Sequence, residues 1–108
     1  SYFDNDGTFL VMVDGDRIIG TGAIKKWDGE TCELKRLWFL KEYRGQGLGY
    51  RMTMELLSFA RGQGYRRVRL ETDPVAQSPA IRFYKRLGFY EIPRYRQSDD
   101  ETAMELVL

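Results

Sequence analysis

The stretch Leu37-Trp38-Phe39-Leu40-Lys41-Glu42-Tyr43-Arg44-Gly45-Gln46-Gly47-Leu48-Gly49 decides how the rest of this 108-residue chain is read. It opens as an apolar, strand-like run and closes on the first turn of a periodic helix, with a glycine-rich turn and one arginine between them. The first backbone N–H groups of a helix have no internal partners and carry the positive end of the helix dipole. An anion therefore settles against them wherever no Cβ atom intervenes. A pyrophosphate is the group such a turn predicts, with Arg44 as a fixed cation at its mouth. The spacing Arg-x-x-Gly-x-Gly is neither the Gly-x-Gly-x-x-Gly of dinucleotide folds nor a P-loop, because no Gly-Lys-Ser/Thr follows Gly49 and Arg51 stands too far along. A ligand other than ATP or NAD is indicated.

Upstream of the turn, residues 8–13, 17–27 and 31–39 are strand-like runs broken at Asp14-Gly15 and Asp28-Gly29, both two-residue hairpin signals. They predict an antiparallel meander. Gly20 and Gly22 inside the second run predict a bulge or a close approach by another element. In the third run Leu34 and Trp38 share one parity and Leu37 and Phe39 the other, so alternation fails near Arg36, as a β-bulge would make it.

Downstream, Leu48, Met52, Leu56 and Phe59/Ala60 fall at helical spacing, which predicts a helix to about residue 63 with Gly64 at its left-handed end. Residues 66–72 alternate Val68, Leu70 and Thr72 against Arg67, Arg69 and Glu71 as a half-exposed strand. Joined through a helix, it is expected to run parallel to the third strand. Asp73-Pro74 breaks it, and Ser78-Pro79 predicts a cap and first turn for a second helix, with Ala80, Phe83, Tyr84 and Leu87 on one face and Gly88 at its end. Residues 89–92 and 102–108 read as two last strands around a polar loop. The fold class expected is α+β: a mixed central sheet with an antiparallel N-terminal meander, two helices, and parallel pairing of the third and fourth strands.

The turn at Arg44, the flanking Leu37-Trp38-Phe39 and the downstream Pro79-Ala80-Ile81-Arg82-Phe83-Tyr84-Lys85-Arg86-Leu87-Gly88-Phe89 together resemble the GNAT superfamily of acyl-CoA-dependent N-acyltransferases, over nearly the whole chain. In that family the Arg/Gln-x-x-Gly-x-Gly/Ala turn grips the CoA pyrophosphate. The resemblance therefore implies acetyl-CoA as co-substrate, held by Arg44, Gly45, Gln46, Gly47, Leu48 and Gly49, with its pantetheine arm along the backbone of Leu37, Trp38 and Phe39. Many relatives carry an asparagine three residues before the alanine as a further CoA contact. Gln77 stands there in this chain, with a longer reach. Set against the family, the first strand and first two helices are absent. The expectation is one N-terminally incomplete acetyltransferase domain over residues 1–108 that self-associates as a homodimer through its open edge, or that belongs to a longer polypeptide.

Composition narrows the chemistry. Hydrophobic residues at 43% and charged residues at 31% indicate a soluble globular protein, and no apolar run approaches the ~18 residues of a membrane helix. A formal net charge of +1 gives no pull toward nucleic acid, and the Arg66, Arg67 and Arg69 cluster lacks interleaved exposed aromatics. With no histidine, Ser-His-Asp and Cys-His catalysis are excluded and no metal site is expected. Cys32 is the only cysteine, which rules out an intrachain disulfide and suits a reducing, cytoplasmic compartment. It reads as a small buried apolar residue.

Acyl transfer from a thioester to an amine needs a bound CoA, a neutral amine, charge stabilisation and a proton for the departing thiolate. Glu33 stands where several family members carry a glutamate that accepts the amine proton. A carboxylate partly buried in a sheet has a raised pKa that suits it to the task, while the competing reading makes it an exposed partner of Lys25, Lys26 or Lys35. Tyr84 holds the position of the family's helix tyrosine, where a phenol near ~10 donates to a thiolate near ~8.5; the competing reading is a core aromatic. The function expected is transfer of an acetyl group from acetyl-CoA to a primary amine of a small-molecule or peptide acceptor, by direct attack in a ternary complex. The alternative is a non-catalytic, CoA-sensing module of the same fold.

Overall fold

The computed structural model describes residues 7–72, 78–96 and 101–108. Along the chain come β1 (Thr8–Asp14), β2 (Arg17–Lys26), β3 (Thr31–Phe39), a single 3₁₀ turn (Lys41–Tyr43), α1 (Leu48–Gly62), β4 (Arg67–Thr72), α2 (Pro79–Leu87), β5 (Tyr90–Ile92) and β6 (Thr102–Val107). The strands form one sheet in the order β1-β2-β3-β4-β6-β5, antiparallel everywhere except between β3 and β4. The α+β architecture and the parallel pairing are those expected from sequence.

One hairpin keeps its two-residue loop, with Asp14 paired to Arg17 and Gly15 at φ 66°. The other does not. Lys26 pairs with Cys32 and the chain turns over residues 27–30, where the Asp28 carboxylate accepts the N–H groups of Glu30 and Thr31 at 2.9 and 2.8 Å. An aspartate that can cap its own turn replaces the tight Asp-Gly geometry.

The parity break in β3 is a bulge. Thr21 pairs with Trp38 and Ala23 with Lys35, leaving Gly22 opposite both Arg36 and Leu37. Arg36 takes the left-handed region at φ 60°, and its carbonyl accepts the Thr21 hydroxyl at 2.5 Å. After the bulge the core-facing residues change parity, from Cys32 and Leu34 to Phe39. Gly20 and Gly22 are required here by close approach. A Cβ on Gly20 would lie 2.3 Å from the Phe39 ring, and one on Gly22 would lie 2.7 Å from Leu56 of α1.

The core joins Ile24, Cys32, Leu34 and Phe39 of the meander to Met52, Leu56, Leu57 and Ala60 of α1, Val68 and Leu70 of β4, Tyr84 and Phe89, and Met104 of β6. Burying each such side chain stabilises the fold by roughly 1.5–3 kcal/mol. Cys32 is fully buried, which pushes its thiol up to about 12 and leaves it an inert packing residue.

The parallel ladder sets the site. It runs only from Thr31↔Arg67 to Glu33↔Arg69, although β3 continues to Phe39 and β4 to Thr72. Past Glu33 the two strands part, and the second half of β3 has no strand partner on that side. An open wedge at the carboxyl ends of parallel strands is where ligands bind in such sheets.

Candidate active site

The glycine turn lies at the mouth of the wedge. Gly45 and Gly47 both adopt left-handed backbone, at φ 80° and 81°, so any other residue would be strained at either position. Gly47 caps α1, whose first internal bond runs from the Arg51 N–H to the Gly47 carbonyl at 3.1 Å. Among the described residues, the N–H groups of Leu48, Gly49 and Tyr50 have no acceptor in the chain. Cβ atoms built on Gly45, Gly47 and Gly49 would meet nothing within 4 Å. Empty space bordered by unpaired N–H groups at a helix start is an anion cradle. Arg44 donates from Nε to the Phe39 carbonyl at 3.0 Å, leaving the outer edge of its guanidinium toward solvent.

The turn is braced from the meander. Tyr43 donates to Asp14 at 2.5 Å, Arg17 pairs with Glu42 at 2.9 Å, and the Gln46 amide donates to the Glu42 carbonyl at 3.3 Å. Gln46 thus contributes through the shape of the turn.

A cleft of about 810 Å³ runs from this cradle along β3, lined by Leu37, Trp38, Phe39, Gly45, Gly47 and Gly49 on one side and Ala80, Phe83, Tyr84 and Leu87 of α2 on the other. A second cavity of about 520 Å³ lies across β3, lined by Thr21, Glu33, Arg36, Leu37, Trp38, Glu71 and Tyr84 among others. Leu37, Trp38 and Tyr84 border both. Trp38 is 47% exposed, so its ring is no core anchor and its position against the cleft is set by the strand.

Tyr84 is carried by α2, which starts as expected: the Ser78 hydroxyl accepts the Ile81 N–H at 3.2 Å, Pro79 follows, and Gly88 ends the helix at φ 105°. Its ring packs edge-on against Phe83 and Phe89. Burial alone pushes its hydroxyl up to about 12. The group therefore stays protonated throughout the neutral range, but it is a weaker acid than the free phenol considered from sequence. Gln77 lies outside the described residues.

Glu33 is only 2% exposed, which excludes the reading as a surface partner of Lys25 or Lys26. Arg96 grips it two-pronged, through Nη1 to Oε2 and through Nη2 to Oε1 at 2.8 Å; Tyr95 donates to Oε2 at 2.8 Å and Lys35 stands 3.8 Å from Oε1. Burial pushes the carboxyl up, but the hydrogen bonds from Arg96 and Tyr95 and the charges of Lys35 and Arg96 outweigh it, and the net direction is down. The raised pKa expected from sequence is thus reversed by a cation from the segment after β5. Arg96 also bonds Glu71 at 2.6 Å, and its guanidinium lies 5.1 Å from the Trp27 ring centroid and 5.5 Å from that of Tyr95. Beside it, Arg69 pairs with Glu105 at 3.2 Å and stacks on Tyr95 at 4.5 Å. Sequence reasoning missed Glu71, Tyr95 and Arg96, since nothing local marks residues that meet only through strand order. The alternation of Arg67, Arg69 and Glu71 was the one available signal.

Residues 1–89 match the family model described as the acetyltransferase (GNAT) family, and the chain belongs to that family. Mouse "Probable N-acetyltransferase family 8 member 5" is 33% identical over 90% of this chain and 44% of its own length. An acetyltransferase from Streptococcus agalactiae superposes with a TM-score of 0.90 at 27% identity, over 99% of this chain and 70% of its own. A GNAT family acetyltransferase from Elizabethkingia anophelis, solved with acetyl-CoA bound, shares the fold at a TM-score of 0.80 and 18% identity, covering 95% of this chain and 77% of that one. The chain spans about half the length of the curated relatives it matches, 44 to 59% for the first three. No helix among the described residues is long and apolar enough to cross a membrane.

Proposed function

We infer that this chain carries the donor site and transfer machinery of an acetyl-CoA-dependent N-acetyltransferase acting on a primary amine. The observation that carries the reading is the continuity of the Cβ-free cradle at Gly45, Gly47 and Gly49 with a cleft that meets a second, carboxylate-lined cavity at Tyr84. The cradle fits a pyrophosphate, having unpaired N–H donors, room where side chains would stand, and Arg44 at the rim. Backbone of Leu37, Trp38 and Phe39, in the half of β3 that has no partner on the β4 side, suits an amide-bearing arm.

When bound, acetyl-CoA supplies an activated acetyl thioester. The roles left to the chain's own residues are orientation and charge. β3 and α2 form the two walls that fix the donor. The Tyr84 hydroxyl, protonated at neutral pH, donates to sulfur as negative charge gathers there. Glu33, in the adjoining cavity, receives the proton that the amine must lose, and no covalent enzyme intermediate is required. Cys32, buried and far from ionising, does not serve as a nucleophile.

The test is release of free thiol from acetyl-CoA against a panel of primary amines, with acetylated amine followed by mass. Amine-dependent release with matching product supports the reading. CoA binding by calorimetry without turnover on any amine would assign the chain to a CoA-sensing module instead.

A further inference from the structure

One backbone conformation in the wall of the site is disfavoured. Arg36 stands at φ 60°, the left-handed region that a Cβ atom opposes, and among the described residues no other non-glycine residue takes a positive φ. Strain of this kind persists only where the surroundings hold it, and it collects at ligand sites. Here the holding group is the Thr21 hydroxyl of β2, which donates to the Arg36 carbonyl at 2.5 Å. The bulge explains why a side chain is needed. The register passes from Ala23↔Lys35 to Thr21↔Trp38, so Arg36 and Leu37 fall outside the regular pairs.

The consequence falls on the same peptide unit. No peptide bond among the described residues is cis, and in a planar trans peptide the C=O and the N–H point opposite ways. A carbonyl drawn to β2 therefore turns the Leu37 N–H away from β2, to the side where β3 has parted from β4. Leu37 and Tyr84 line both the cleft and the cavity across β3, and Thr21 lines the cavity. We propose that Thr21 is a positioning residue: its hydroxyl latches the Arg36 carbonyl and thereby aims the Leu37 N–H into the wedge, where it donates to the carbonyl oxygen of the bound acyl group. The proposal rests on the acetyltransferase reading of the same site and adds the side chain that sets this main-chain donor.

The experiment is calorimetry of acetyl-CoA and of CoA, with no amine present, on wild type, Thr21→Val and Thr21→Ser. CoA has the same pyrophosphate and amide-bearing arm but no acyl carbonyl, so it reports on the whole donor site except the aimed N–H. Thr21→Val keeps the shape of threonine and loses the hydroxyl. It is expected to bind acetyl-CoA roughly fivefold more weakly, the worth of one neutral hydrogen bond, with CoA affinity unchanged. Thr21→Ser keeps the hydroxyl and is expected to match wild type toward both ligands. Equal weakening toward the two ligands would make Thr21 a support of the strand and overturn the proposal. Wild-type acetyl-CoA affinity in Thr21→Val overturns it as well, as does loss of acetyl-CoA affinity in Thr21→Ser. Should Thr21→Val fail to fold, Thr21→Ala carries the same comparison. Absence of CoA binding in wild type defeats the acetyltransferase reading itself, whereas normal CoA binding with an unmoved acetyl-CoA affinity defeats only the latch.

Discussion

The cleft beside the glycine turn offers main-chain N–H groups and apolar side chains, whereas the cavity across β3 carries charged side chains in its lining. In the cleft the accessible main-chain groups are the N–H donors of the first turn of α1, where Gly45, Gly47 and Gly49 leave room, and the half of β3 that has no partner on the β4 side. In the cavity stand Glu33 and Glu71, from β3 and β4, both hydrogen-bonded by Arg96 of the segment after β5. In the proposed reading the main-chain donors hold a pyrophosphate, which is chemically constant from donor to donor. Side-chain charges can be exchanged one at a time, and in the proposed reading they face the variable partner. Tyr84 borders both spaces.

If that division is right, substitutions should separate cleanly by side. The largest effect is expected at the boundary: Tyr84→Phe should lower kcat by ~10²-fold or more while CoA affinity is unchanged, because the hydroxyl acts only as the thiolate departs. Steady-state kinetics with calorimetry check this, and an unchanged kcat would return Tyr84 to a packing role. Since the Tyr84 hydroxyl is pushed up to about 12, its ionisation should produce no basic limb in the pH–rate profile near neutrality.

The acceptor side should show itself in acid. Burial of Glu33 opposes its ionisation and Arg96 and Tyr95 reverse that, so its folded-state pKa lies below the unfolded value. Stability from this group is therefore complete above the unfolded carboxylate pKa of ~4.3 and is lost as pH falls through the folded value. Arg96→Gln should be less stable than wild type by roughly 3 kcal/mol near neutrality, and the gap should narrow in acid, where Glu33 is neutral in both proteins. Urea unfolding on either side of that window measures it; a gap independent of pH would mean that the Arg96 contribution is packing alone.

A smaller effect sharpens the boundary further. Ser78→Ala removes the cap of the helix that carries Tyr84 and should cost about 1 kcal/mol by thermal unfolding, with acetyl transfer reduced through the placement of α2. A loss in acetyl transfer as large as that of Tyr84→Phe would show that α2 placement, more than the hydroxyl, limits the reaction.

The difference between the two sides also explains what could be read in advance. A turn that takes left-handed backbone at Gly45 and Gly47 can be written almost only in glycine, so the turn was legible along with the strand-helix frame around it. The β3 bulge was legible for a similar reason, because the inward side chains change parity at Arg36. Charge pairing carries no such local mark. Glu33 could be named as a candidate, but its burial depends on the sheet face it occupies, and its ionisation depends on Arg96, more than sixty residues away. The longer turn at 27–30 was misread as a tight one because Asp-Gly serves both geometries until the partner register is known.

The central claim, that the glycine turn holds the donor through its main chain, is tested most directly at Gly49. Gly47→Val would confound strain with occlusion, since Gly47 lies at φ 81°. Gly49 lies in ordinary helical backbone with nothing within 4 Å of an added Cβ, so Gly49→Val fills the cradle without disturbing the fold. Calorimetry with CoA should find the variant ~10- to 100-fold weaker than wild type, the worth of one hydrogen bond to a charged group, at an unchanged melting temperature. Wild-type affinity in a folded Gly49→Val protein would contradict the account.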